Sequence, residues 1–280
     1  VKFTVLTLFP EIVDAFFSAS IMAKAIDRGV VSYRSVNIRD FALDKHHKCD
    51  DAPYGGGAGM LMLPEPLGRC LETVGVRSRF APVPDGDGAA GSDSGPRRPR
   101  VLYLSPSGKP FDQAFARELS AEAELVLLCG RYEGIDQRII DSYVDDEVSI
   151  GDYVLSSGEI AALVVVDAVY RLVDGVISGE SLDEESFTDG LLEYPQYTRP
   201  ELYGSMRVPE VLLSGHHEHI RRWRLEKRVE KTLLNRPDLI RKGKNSGTFG
   251  AETLKLVEQW EGASGDDESS SATRSEGERE

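Results

Sequence analysis

The sequence predicts an α/β fold built on a largely parallel sheet, and three features carry that expectation. Leu125 to Cys129 is an unbroken apolar run of strand length that stops at Gly130. A strand apolar at successive positions is buried on both faces, as strands of parallel sheets are. A second run, Glu147 to Ile150, stops at Gly151 in the same way. Helical segments separate the strands at the spacing of βαβ repeats. Both runs end in glycine-bracketed loops, Gly130-Arg131-Tyr132-Glu133-Gly134 and Gly151 to Gly158. Any one of these glycines alone merely turns the chain. Together, with large polar-tipped residues between them, they mark a site at the carboxyl ends of strands, where open α/β sheets bind ligands.

In chain order, Lys2 to Phe9 reads as the first strand. Pro10 opens a helix, since proline suits the first helical position. A second short helix over about Ile21–Asp27 ends at Gly29, and Val30 to Ile38 is a strand. A polar stretch then leads to Pro53–Met60, which holds a Gly-x-Gly-x-Gly. It lacks the Gly-Lys-Ser/Thr ending of a P-loop, and it follows a charged loop rather than the strand a dinucleotide fingerprint needs. It reads as a loop that lets backbone approach a partner. Pro64 to Thr73 is helical. Residues 76–100, rich in Pro, Gly, Asp and Ser with no apolar period, form an exposed insertion. Val101 to Pro106 is another buried strand ending in a turn, and a helix over about Asp112–Ala121 follows. Ser156 and Glu159 have capping-box spacing before Ile160–Val173, an almost wholly apolar and therefore buried helix. Gly175 to Gly190 is carboxylate-rich and reads as an interdomain linker. A basic helix begins near Gly215, and a last helix covers about Ala251–Trp260.

A chain of 280 residues can form two modest domains. The net charge of −14 argues against a nucleic-acid binder until its distribution is considered. Residues 261–280 set seven carboxylates against two arginines, a Ser/Gly/Glu-rich composition that predicts disorder. Residues 216–245 reverse the bias, with ten lysines and arginines against four carboxylates. No stretch is apolar enough to span a membrane, and the amino end has no signal pattern. Cys49, Cys70 and Cys129 are far apart with no C-x-x-C, which excludes a disulfide framework or zinc site and fits a reducing cytoplasm. His216, His217 and His219 have no acidic or cysteine partner at ligand spacing and read as a helix start.

The phrases LFPE (8–11), PYGGGAGMLM (53–62), LSP (104–106), CGRYEGID (129–136), SIGDYVLSSGE (149–159), LL-YPQYTRPE (191–201, with Glu193 interposed) and LLSGHHEHIRRWRL (212–225) run in order through almost the whole chain. Together they resemble the bacterial tRNA (guanine-N1)-methyltransferase family, of the SPOUT or trefoil-knot class. The resemblance implies a deeply knotted α/β domain over 1–177, a linker over 178–189, a small all-helical tRNA-binding domain over 190–262 and an acidic tail over 263–280. It implies a homodimer with a shared active site. The implied reaction moves a methyl group from S-adenosylmethionine to N1 of the tRNA guanine immediately 3′ of the anticodon.

By resemblance, the cofactor contacts fall on Tyr103, Leu104, Gly130, Tyr132, Glu133, Ser149, Ile150, Gly151, Tyr153, Leu155 and Gly158. Glu133 has two roles open to it, a contact to the ligands or a salt bridge with Arg131 or Arg138. Guanine N1 carries a proton at neutral pH, so a positioned base must remove it, and a cation should stabilise charge developing on O6. The family uses a linker aspartate as base and an arginine at the end of the buried helix. Aligned on Ser186-Phe187, the base position is Glu185, with Glu184 and Asp183 as alternatives, and the arginine is Arg171. A plain i,i+4 pair with Asp167 is the other role open to Arg171. Ser157 stands where the family has glycine. Tyr197, Arg199, Arg221, Arg222 and Arg224 suit phosphate contact and stacking on tRNA, with Trp223 in the core. Magnesium enters through the resemblance alone, since no hard-cation site is legible.

Overall fold

The computed structural model describes residues 1–81, 98–177 and 185–272. The chain divides into two compact units, Val1–Ser178 and Gly179–Glu280.

The first unit is built on a five-stranded sheet of β1 (Lys2–Thr7), β2 (Ser32–Asn37), β5 (Arg100–Pro110), β6 (Glu124–Cys129) and β7 (Asp146–Ser149), in the order β2-β1-β6-β5-β7. Every pairing is parallel, and β6 sits centrally with Val5 and Leu102 both in register with Leu127. Two-residue strands β3 (Asp50–Asp51) and β4 (Leu61–Met62) form a separate antiparallel pair. The apolar run of β6 is wholly buried, and its side chains alternate between two cores. Leu125, Leu127 and Cys129 join the core that holds the helices α1 (Pro10–Phe17), α2 (Ser20–Asp27), α4 (Gln113–Ser120) and α6 (Gly158–Tyr170). Val126 and Leu128 join the core under α3 (Pro64–Thr73) and α5 (Gln137–Tyr143). The period of two along a strand buried on both faces produces this division.

Several expectations change in detail. Helix α5 is not announced by periodicity, because seven residues hold only two helical turns; its start is set by Asp136, whose carboxylate accepts the Arg138 N–H at 2.9 Å. The Ser156–Glu159 capping box does not form. Ser157 is the residue before α6 and makes no side-chain cap, and Glu159 is wholly buried. The helix ends at Tyr170 rather than Val173. The described ends of the 76–100 insertion are mostly exposed but anchored to the domain. Val76 is buried, and Arg79 and Arg98 both pair with Asp145, at 3.0 and 3.2 Å. Residues 82–97 of it lie outside the described residues.

The second unit holds helices α7 (Glu210–Leu213), α8 (His217–Asn235), α9 (Pro237–Ser246) and α10 (Ala251–Ala272), with a hairpin of β8 (Leu202–Tyr203) and β9 (Met206–Arg207) beside them. It is therefore mainly rather than wholly helical. Its core is small: Leu191, Val229, Ile240, Phe249, Leu256 and Val257. Helix α10 continues past Trp260 to Ala272, into the stretch that composition marks for disorder. Linker residues 178–184, with Asp183 and Glu184, and tail residues 273–280 lie outside the described residues.

Candidate active site

Three loops meet at the carboxyl ends of β5, β6 and β7 around a cavity of about 300 Å³. The first is a bulge. Leu104 and Lys109 both register with Val148, so Ser105 to Gly108 loop out of the strand toward the cavity. The second is Gly130–Gly134, in which Tyr132 holds the left-handed conformation at φ +57°. The third runs from Ile150 to Gly158 and leads into α6.

All eleven residues with an expected cofactor role line this one cavity. Their parts differ. Leu104, Ile150 and Leu155, with Val148 and Ala161, give it apolar walls. Tyr103 is only 6% exposed, and burial followed by the nearby Glu147 charge raises its phenol above the usual value. The Ser149 hydroxyl is turned back on its own loop, accepting the Gly151 N–H at 3.3 Å. Tyr132 and Tyr153 are half-exposed at the rim, and Val154 is 84% exposed. Gly158 lies against the second loop and donates its N–H to the Gly130 carbonyl at 2.9 Å. A Cβ there would lie 2.8 Å from the Gly130 nitrogen and 2.9 Å from Cys129 Cα, so only glycine permits this approach.

The glycine-rich Pro53–Met60 loop also has a place here. Glu133 donates its N–H to the Met60 carbonyl at 3.0 Å, Met62 donates to Gly134 at 3.0 Å, and Asp136 donates to Met62 at 3.2 Å. A Cβ on Gly59 would lie 2.4 Å from the Glu133 carboxylate. The loop thus approaches a partner as read from the sequence, and that partner is the Gly130–Gly134 loop of the same chain. Neither arginine considered for Glu133 pairs with it. Arg138 takes both oxygens of Asp136, and Arg131 lies over the Phe9 ring at 4.2 Å. The Ser105–Ser107 bulge within β5 and Arg131 also line the cavity and were given no ligand role from the sequence; the Ser105-Pro106-Ser107-Gly108 turn signal was available.

Comparison with known proteins matches this chain to a family. The profile described as tRNA (Guanine-1)-methyltransferase TrmD matches residues 1–242. The chain belongs to that family. Among its relatives is the tRNA (guanine-N(1)-)-methyltransferase of Treponema denticola, 60% identical over 260 residues that cover 93% of this chain and 99% of the relative. The protein of that name from Treponema pallidum is 56% identical over 255 residues, covering 91% and 94% of the two chains. The Borreliella burgdorferi protein is 56% identical over 243 residues, covering 86% and 93%.

Within this TrmD-family chain the two residues expected to do the chemistry are not in the cavity. Arg171 follows the last residue of α6, whereas Gly158 at its first residue lines the cavity. Thirteen residues of helix separate them, a length of about 20 Å. Glu185 belongs to the second unit. Among the expected RNA contacts, Tyr197 is half-exposed and tilts against a half-buried Trp223 at 6.3 Å. Arg199 is exposed. Arg222 pairs with Glu226 at 2.9 Å, and Arg221 is held by Glu218 and Glu252. Arg224, expected to contact tRNA, is half-buried and lies over the buried Tyr194 ring at 4.7 Å. Among the described residues no three His, Cys, Asp or Glu side chains gather as a metal site.

Proposed function

We propose that this chain transfers a methyl group from S-adenosylmethionine to N1 of the tRNA guanine immediately 3′ of the anticodon, position 37, giving 1-methylguanosine. The observation that carries the proposal is the convergence on one cavity of eleven residues from β5, from β7 and from the loops Gly130–Gly134 and Ile150–Gly158. Its apolar walls suit an adenine ring, and the free edges of strand-end backbone suit ribose and amino-acid polar groups. The cofactor supplies an electrophilic methyl on a positively charged sulfur. Glu185 accepts the N1 proton as attack proceeds, and Arg171 faces the charge that develops on O6. Tyr197, Arg199, Arg221 and Arg222 hold the RNA, and the target guanine leaves its stack so that its N1 reaches the methyl group.

The enzyme acts as a homodimer in this reading. One chain alone leaves Arg171 a full helix length from the cavity. Ile160 and Val164 are 51% and 43% exposed on α6, and they share a helical stripe with Asp167 and Arg171. Two α6 helices packed antiparallel along that stripe would cover it and set Arg171 of each copy beside the other's cavity. We also read the loops after β5, β6 and β7 as the threaded part of a trefoil knot. Family membership supports this, as does the backbone contact between Gly130 and Gly158. Residues 190–262 serve as the tRNA-binding domain. The three cysteines are free and buried, and no helix among the described residues is long and apolar enough to cross a membrane; with a tRNA substrate, these support a cytoplasmic enzyme.

Methylation of unmodified transcripts that differ only in guanine or adenine at position 37, followed by mapping of the modified atom, tests the proposal. Methyl incorporation at N1 of the guanine transcript alone is expected. Product at another atom or another nucleotide overturns it.

A further inference from the structure

The carboxylate proposed as base does not stand on a free linker. Residues 185–193 close on themselves: Phe187 donates its N–H to the Leu191 carbonyl at 2.8 Å, Thr188 to Glu185 at 3.3 Å, and Glu193 to the Ser186 hydroxyl at 2.9 Å. This loop is then fastened to one turn of α8. Arg228, 7% exposed, binds both oxygens of Asp189 with its two terminal nitrogens and the Leu192 carbonyl with Nε at 3.3 Å. Leu192 donates its N–H to the Thr232 hydroxyl at 2.9 Å, and that hydroxyl donates to the Arg228 carbonyl at 2.6 Å. A solvated linker needs none of these. A bidentate guanidinium taken out of water fixes direction as well as distance, and its hydrogen bonds offset the cost of its burial.

We infer that Arg228 is a positioning residue for the methyl transfer: through Asp189 it holds the Glu185 loop on α8, the helix that also carries Arg221 and Arg222. The inference rests on the reading of Glu185 as base. One rigid element would then hold RNA near its amino end and set the proton acceptor from its middle. The rate of proton removal is sensitive to small displacements of the base, whereas binding of tRNA and cofactor is not set by Arg228.

The test compares R228Q, R228K and D189N with E185Q in the full-length enzyme, with thermal unfolding to confirm folding. For R228Q and D189N, kcat should fall about tenfold or more while KM for tRNA and the cofactor Kd stay within about twofold. R228K should recover part of the loss, and Leu192 amide exchange should quicken in proportion to it. Adding R228Q to E185Q should cost nothing further, because both act on one step. If R228Q keeps its full rate while E185Q is inactive, this inference fails alone. If E185Q keeps its full rate, the base assignment fails and takes the inference with it. Equal losses in kcat and cofactor affinity would mark Arg228 as merely structural and overturn it too.

Discussion

Thr7, at the end of β1, donates its hydroxyl to the Glu159 carboxylate at 2.6 Å across 152 residues of sequence, and accepts the Phe9 N–H at 2.9 Å. Both side chains are fully buried, and the second Glu159 oxygen has no hydrogen-bond partner among the described residues. The bond ties the first turn of α6 to the first strand of the sheet. A carboxylate in that turn is favoured by the N–H groups that a helix leaves unpaired there. It sits directly behind the cavity, next to Gly158.

Thr7→Val removes the donor and leaves the carboxylate buried without it. Unfolding in urea should show a loss of about 1–3 kcal/mol. Thr7→Ser, which keeps the hydroxyl, should recover most of it. A midpoint unmoved by the valine would mean that the hydroxyl contributes nothing there.

Gly158→Ala tests the close approach of α6 to the second loop. The added methyl would meet backbone atoms of Cys129 and Gly130 rather than a flexible side chain, so the loops must separate. Overpacking of this kind costs about 1–3 kcal/mol. Because the strain falls at the cavity wall, calorimetric titration should show cofactor affinity at least tenfold weaker, with cooperative unfolding retained. Affinity equal to that of the parent would remove Gly158 from the cofactor's surroundings.

Much of this site could be read from the chain because its signals are local. Leu125–Cys129 is apolar at every position and ends on a glycine, so both the strand and its loop follow from the order of residues. Glu159 could not be read that way. Its spacing from Ser156 fits a capping box, and the competing partner, Thr7, lies at the other end of the domain. The role of Gly59 was equally hidden, since a flexible glycine tract and one that must admit Glu133 look alike in sequence. Arg228 sits in a run of basic residues, and only the fold separates it from its neighbours by burying it against Asp189. Under the proposed dimer Arg171 illustrates the remaining limit, because a residue that serves a second copy carries no mark of it within one chain.

Asp146 gives a pH dependence with a defined sign. Burial opposes ionisation of its carboxyl, but hydrogen bonds from Arg100 and Lys109 at 2.7 and 2.6 Å outweigh it and hold the pKa below the ordinary aspartate value. The unfolded chain therefore binds the proton more readily. The stabilisation is complete above the ordinary aspartate pKa and is lost as pH falls through the lowered folded value. Urea midpoints measured downward from neutral pH should fall across that acid window. Asp146→Asn should flatten part of the fall and cost about 1–3 kcal/mol at neutral pH, because Arg100 and Lys109 each lose a charged partner while Arg100 keeps Glu118 at 2.6 Å and Glu122 at 3.4 Å. An acid dependence identical in the variant would exclude Asp146 as its source.

The pairing of Arg221 makes a prediction that runs against simple charge counting. Its guanidinium is held by Glu218 and by Glu252 on α10, at 2.7 and 3.0 Å, and the two carboxylates raise its pKa above the usual value. All three side chains are solvent-exposed, so phosphate can displace the carboxylates. An arginine that must first leave a carboxylate binds RNA less tightly than a free one. Glu252→Gln removes one competitor without touching the arginine, and should tighten tRNA binding by roughly two- to fivefold at low salt. Arg221→Ala with Arg222→Ala should weaken binding and flatten the slope of log K against log salt by about 1.4–1.8, the value for two lost phosphate contacts. Filter binding across a salt series reads both effects. If Glu252→Gln changes nothing while the double alanine variant still flattens the slope, Arg221 does not reach the RNA and the contact belongs to Arg222.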